Sequence, residues 1–87
     1  MPHVTVKLYP GRDPAEKRAM ADAIASALHD SAGYALKNVS VAMEEVEPAR
    51  WMQDVYAPGI QGRADQLVRR PGYGPSGDGD KAGSLES

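Results

Sequence analysis

The 87-residue sequence has no cysteine, which excludes disulfides and thiolate metal sites. Its two histidines, His3 and His29, are too few for a zinc cage. No metal and no cofactor are expected. No excess of one charge exists either: 10 Lys and Arg against 12 Asp and Glu leave a net charge of −2. That balance gives no reason to expect nucleic acid or an anionic membrane as partner. No apolar run approaches the ~20 residues that a membrane span needs. No leader pattern is visible, because Met1 runs straight into a strand, and a cytoplasmic protein is expected. A chain this short also lacks the bulk for a large core. With disulfides and metals excluded, self-association is the expected aid to stability.

What is present has a clear order. Residues 4–8 alternate, with Val4, Val6 and Leu8 facing one way and Thr5 and Lys7 the other. This period of two predicts a strand with one buried face. Pro10-Gly11 ends it as a turn that delivers Arg12. Asp13, Pro14 and Glu16 form a helix start: a capping side chain, a proline suited to the first position, and a glutamate three residues after the cap. The alanine-rich residues 14–32 predict a helix. Met20, Ile24, Ala27, Leu28 and Ser31 are its expected inward stripe, and Gly33 its stop. His29 falls on the polar face and is expected to be solvated. Residues 39–44 alternate again, with Val39, Val41 and Met43 on one face. Strand, long helix, strand predicts a βαβ unit with parallel strands and a right-handed crossover. Two strands alone make a poor sheet, so pairing with another subunit is expected.

Beyond the second strand, Pro48 starts a short helix or turn that carries Trp51, Met52 and Val55, and Pro58-Gly59 breaks it. A second helix is expected over residues 60–70, stopped by Pro71-Gly72, with Arg69 and Arg70 opposing its dipole. The Gly-rich residues 74–87 have nothing to bury and read as a flexible tail. The domain is therefore placed at residues 2–73.

Pro2 opens the strand directly after the initiator. Methionine before a small residue is normally removed, which would leave Pro2 as a secondary amine at the N-terminus. Taken together, Pro2, the alternating strand, Gly11-Arg12, the long helix, the Val-rich second strand and Trp51 resemble the 4-oxalocrotonate tautomerase family of the tautomerase superfamily. Met1-Pro2-His3, the segment from Glu47 to Trp51 and the stretch from Leu67 to Tyr73 resemble its small phenylpyruvate-type bacterial members. The resemblance covers residues 2–73.

That resemblance implies a fold class and an activity. The fold is α/β (α+β): a β-α-β unit whose sheet is completed to four strands by dimerisation. The longer stretch between Pro48 and Pro58 favours a homodimer, with a hexamer second. The activity is cofactor-independent keto–enol tautomerisation, an isomerase reaction, of a small 2-keto or 2-hydroxy-dienoate carboxylate. Pro2 would be the general acid–base. A free α-amino group has a reference pKa of roughly 7.7–8.0, and an apolar pocket disfavours its charged form. Val39, Val41, Trp51 and Met52 are the candidate walls. Arg12 would bind the substrate carboxylate in a fork, and Trp51 would stack on a flat substrate. His3, beside Pro2, could line the site. Ser40 stands where the 4-oxalocrotonate enzymes carry a second arginine, and serine brings a hydrogen bond but no charge. One carboxylate, as in phenylpyruvate, then fits better than two. Arg50 and Lys37 are the other cations nearby in sequence.

Each residue also has a plainer reading. Proline after methionine is common, an arginine at a turn is often only solvated, and a lone tryptophan usually packs. The four tyrosines carry no specific signal. Two other functions compete: a superfamily hydratase-dehalogenase or decarboxylase that uses a cationic Pro2, and a non-catalytic oligomeric module.

Overall fold

Strand β1 (His3–Leu8) leads through a turn into helix α1 (Pro14–Ala32), and a single 3-10 turn at Leu36–Asn38 leads into strand β2 (Ser40–Glu45). This is the order in the computed structural model, which describes residues 1–75. Most of the segment expected to be a flexible tail lies outside the described residues. By internal contacts the chain forms two compact units, Met1–Ala49 and one that begins at Arg50.

In the first unit β1 and β2 are parallel, in the register His3↔Ser40, Val4↔Val41, Thr5↔Ala42 and Val6↔Met43. Two parallel neighbours need a crossover, and α1 supplies it. Its start follows from chemistry written in the sequence. The Asp13 side chain accepts from the Glu16 backbone N–H at 2.8 Å, and the Glu16 carboxylate accepts from the Asp13 N–H at 3.1 Å. Two donors that the helix would leave unpaired are thereby satisfied. Gly33 ends the helix at φ 77°, a left-handed conformation that a side chain disfavours. Its N–H bonds to the His29 carbonyl at 2.9 Å. His29 is not merely solvated, because its Nδ1 lies 2.7 Å from the Tyr34 carbonyl and ties down the chain that leaves the helix.

The sheet faces alternate in exposure along both strands. Val4, Val6, Leu8, Val41 and Met43 are half-buried, whereas His3, Thr5, Lys7, Ser40, Ala42 and Glu44 are exposed. On α1 the half-buried stripe is Lys17, Met20, Ala21, Ile24, Ala25 and Leu28. This corrects the expected stripe, for Ala27 and Ser31 are exposed. A 3.6-residue period carries the Met20-Ile24-Leu28 row through Ala21 and Lys17 rather than through Ala27. Lys17 bonds its ammonium to Glu45 at 2.7 Å, joining the helix to the end of β2. Within this unit Val46 is the one side chain that reaches the buried class, its N–H bonded to the Leu8 carbonyl.

The second unit is helical in tight and wide turns. A 3-10 turn at Pro48–Arg50 precedes Trp51, then a π-helical segment Met52–Ile60 and a 3-10 segment Gln61–Gln66 with a kink at Arg63. The helix therefore begins earlier than residues 60–70 and runs through Pro58 instead of breaking there. A proline ring clashes with the carbonyl four residues back in an α-helix. Wide turns that bond five residues back take that carbonyl out of line. The helix also ends at Gln66, so Arg69 and Arg70 lie beyond it and not in its last turn. Val55 and Tyr56 are buried here, Tyr56 to 1% exposure.

Candidate active site

Pro2 is half-buried at the mouth of β1, and its carbonyl accepts the Ser40 backbone N–H at 3.2 Å. The parallel pairing thus extends one residue past the strand and fixes where the proline stands. Met1 is attached and 91% exposed. In that form the Pro2 nitrogen is an amide with no basic lone pair. Loss of Met1 would bare the nitrogen at a position set by the Ser40 backbone bond.

The register places His3 opposite Ser40 on the exposed sheet face. Their side chains share a hydrogen bond of 2.7 Å between Nδ1 and Oγ, and the other ring nitrogen lies 3.4 Å from Thr5 Oγ1. Pro2, His3 and Ser40 are therefore brought together at one end of the sheet. Thr5 joins them, although no sequence signal marked it. Its place follows from the two-residue repeat from His3, which is visible in the sequence only once a hydrogen-bonding role for His3 is assumed.

Arg12 is not brought to this group within the chain. It lies past the far end of β1, about 20 Å of strand away from Pro2 at ~3.3 Å per residue. Its guanidinium rests 3.3 Å from Glu16 in an exposed pair one helical turn apart. Such a pair contributes little, at most about 0.5 kcal/mol, and leaves the arginine free to exchange partners.

Trp51 belongs to the second unit. Its indole N–H donates to the Tyr73 hydroxyl at 2.8 Å. The Tyr73 ring in turn packs on Tyr56, with centroids 5.5 Å apart and planes tilted by 51°. Tyr73 thus has a defined place that its sequence did not announce, because its partner lies 22 residues away with no local pattern to link them. Met52 is exposed, and Arg50 is taken by Asp54 at 2.7 and 3.4 Å, so it is not a loose substitute for a second arginine.

A hollow of about 430 Å³ lies in the first unit between the flank of α1 and β2, with Ala21, Ala25, Leu36, Val39 and Val41 among its walls. Neither Pro2, His3, Ser40 nor Arg12 lines it. Val39 and Val41 thus serve that hollow, and the polar cluster at the sheet end stands apart from it. Among the described residues no group of three or more His, Asp or Glu could hold a metal ion, and no helix is long and apolar enough to cross a membrane.

Comparison with known proteins bears on this geometry. The family model described as tautomerase enzyme matches residues 2–57, from Pro2 through both strands to the π-helical segment. The chain belongs to the tautomerase family. A probable tautomerase of Xylella fastidiosa is 43% identical over 74 residues, 85% of this chain and 90% of that protein. Tautomerase PptA of Pectobacterium atrosepticum is 38% identical over 74 residues, 84% of this chain and 97% of that one. Among solved structures, TomN, a 4-oxalocrotonate tautomerase homologue in the tomaymycin biosynthetic pathway, aligns with a TM-score of 0.56 at 33% identity, over 74% of this chain and 95% of its own. The β-α-β fold is that of these tautomerases, and the protein is an enzyme of the isomerase class.

Proposed function

We propose that this tautomerase interconverts the enol and keto forms of a small 2-keto acid, with phenylpyruvate as the model substrate. The domain that does so spans residues 2–73, and Pro2 is the general acid–base once Met1 has been removed. The observation that carries this reading is the position of Pro2, pinned by the Ser40 N–H at the end of a parallel strand pair within the matched family segment. A tautomerase must take a proton from one atom and return it to another of the same substrate, and a single amine can do both. His3 and Ser40 offer polar hydrogens beside it. They suit the enol or keto oxygen, and neither supplies the fixed charge that a second carboxylate would require.

Arg12 is the carboxylate-binding cation. The length of strand between it and Pro2 supports a site whose two groups come from two chains. A homodimer is the simplest assembly that supplies both, and it also extends a two-stranded sheet that is too small alone. Trp51 offers its ring face to the flat end of the substrate in the assembled enzyme. A cytoplasmic setting accords with this soluble chemistry.

The test is ketonisation of the enol of phenylpyruvate by wild type and by Pro2→Ala, after a mass measurement of the N-terminus. Loss of Met1 and a fall of at least ~10²-fold in kcat/KM for Pro2→Ala are expected. Equal trace activity in both proteins would sink the proposal and leave a non-catalytic module.

A further inference from the structure

Trp51 has only one hydrogen to donate from its ring, and the protein has already committed it. The acceptor, Tyr73 Oη at 2.8 Å, belongs to a half-exposed residue that is seated against Tyr56. Its ring leans on Tyr56 at 5.5 Å. Its backbone carbonyl accepts from the Tyr56 hydroxyl at 3.5 Å. The next residue, Gly74, turns at φ 75° directly over the Tyr56 ring, where an added Cβ would sit 2.5 Å from a ring carbon. Tyr56 is 1% exposed, so the base of this stack is the most buried side chain described. Trp51 stands immediately before the π-helical segment, a conformation that is rare and often found at functional sites. Tyr73 lies outside the segment matched by the family model, which stops at residue 57.

We infer that Tyr73 is a positioning residue for the tautomerase reaction, fixing the plane of the Trp51 indole so that its face meets a flat substrate. The inference rests on the reading of Trp51 given above. The indole contributes stacking and no hydrogen bond, since its N–H is bound internally. Preference for a conjugated or aromatic 2-keto acid over an alkyl one then depends on Tyr73, a residue that itself touches no reacting atom. A less restrained indole loses more freedom when substrate binds, so weakening its anchor weakens binding and spares the chemical step.

The experiment uses the full chain with Tyr73→Phe, Trp51→Phe and the double variant. Tyr73→Phe keeps the ring on Tyr56 and removes only the acceptor oxygen. Trp51→Phe keeps an aromatic face and removes the donor. Each single variant should raise KM for the enol of phenylpyruvate by about threefold to tenfold with kcat nearly unchanged, the size of one lost hydrogen bond. The double variant should be no worse than the single ones. KM for an alkyl 2-keto acid should not move. Trp51 is the sole tryptophan, so its fluorescence anisotropy in Tyr73→Phe reads the anchor directly and should fall while the thermal midpoint holds. An unchanged KM in Tyr73→Phe, or losses that add in the double variant, would overturn the inference. Unchanged KM in Trp51→Phe with a drop in anisotropy in Tyr73→Phe would show that the anchor exists but that Trp51 does not serve the substrate. Failure of Pro2→Ala to reduce turnover would instead remove the proposed reaction itself.

Discussion

Removing Met1 changes the chemistry of a single nitrogen. As an amide, the Pro2 nitrogen gives its lone pair to the carbonyl and cannot accept a proton. As a secondary amine it is a base whose position is already set by the Ser40 N–H. The same economy applies to Arg12, whose charged contact among the described residues is the exposed carboxylate of Glu16, one turn along the helix. Exchanging that contact for a substrate carboxylate costs little, because a surface pair of this kind is weak. Arg12→Ala should therefore lower kcat/KM for phenylpyruvate by about tenfold to hundredfold, as for a lost hydrogen bond to a charged group. Arg12→Lys should recover only part of this, since lysine lacks the planar fork. Steady-state kinetics of the two variants check both statements, and equal rates for Arg12→Ala and wild type would exclude Arg12 from the site. Ser40 carries the opposite message. Its hydroxyl is engaged by His3 and its N–H by Pro2, so it acts as a polar tie at the place where relatives of the 4-oxalocrotonate type were expected to hold a charge.

At the scale of elements, the ends of α1 carry more information than its middle. Asp13, Pro14 and Glu16 announce its start and Gly33 its stop, and the helix spans Pro14–Ala32 as they predict. Both ends are legible because capping is local chemistry between residues three or four apart. Asp13→Ala should cost about 1 kcal/mol and lower the thermal midpoint by ~4–8 °C at fixed protein concentration, measured by circular dichroism. The interior stripe was less legible. Several alanines satisfy more than one face, so the pattern places Ala27 and Ser31 inward, whereas both are exposed. The second unit was the least legible part. Pro58-Gly59 is a strong breaker in an α-helix, but the wide turns of Met52–Ile60 accommodate it. No local pattern reports a five-residue hydrogen-bond period. The site follows the same division. Pro2 and Ser40 become candidates through the family resemblance and His3 through its place beside Pro2, and the three lie together at one end of the sheet. The His3–Ser40 bond depends on strand register, and the Tyr73–Trp51 bond spans 22 residues, so neither has a local signature.

On the scale of the whole molecule, what stands out is how little one chain encloses. Val46 alone is buried in the first unit, and the second contributes Val55 and Tyr56 among the described residues. A sheet of two strands has two open edges and cannot hide its apolar face unaided. Pairing with a second chain would cover that face, and the proposed catalysis requires the same pairing. The length of β1 then has a genetic consequence. It holds Pro2 and Arg12 at opposite ends, so under the proposed mechanism a twofold dimer would pair each proline with the other chain's arginine. Pro2→Ala and Arg12→Ala chains, each about tenfold or more below wild type alone, should regain activity when refolded together. Half of the randomly paired dimers would be mixed, and each of these would have one site with both groups intact. Mixing equal amounts should restore about a quarter of wild-type turnover. If the mixture stays as inactive as its components, each site is built from one chain. A cell that carried the two faulty alleles side by side would be enzymatically competent, although neither gene alone would make it so.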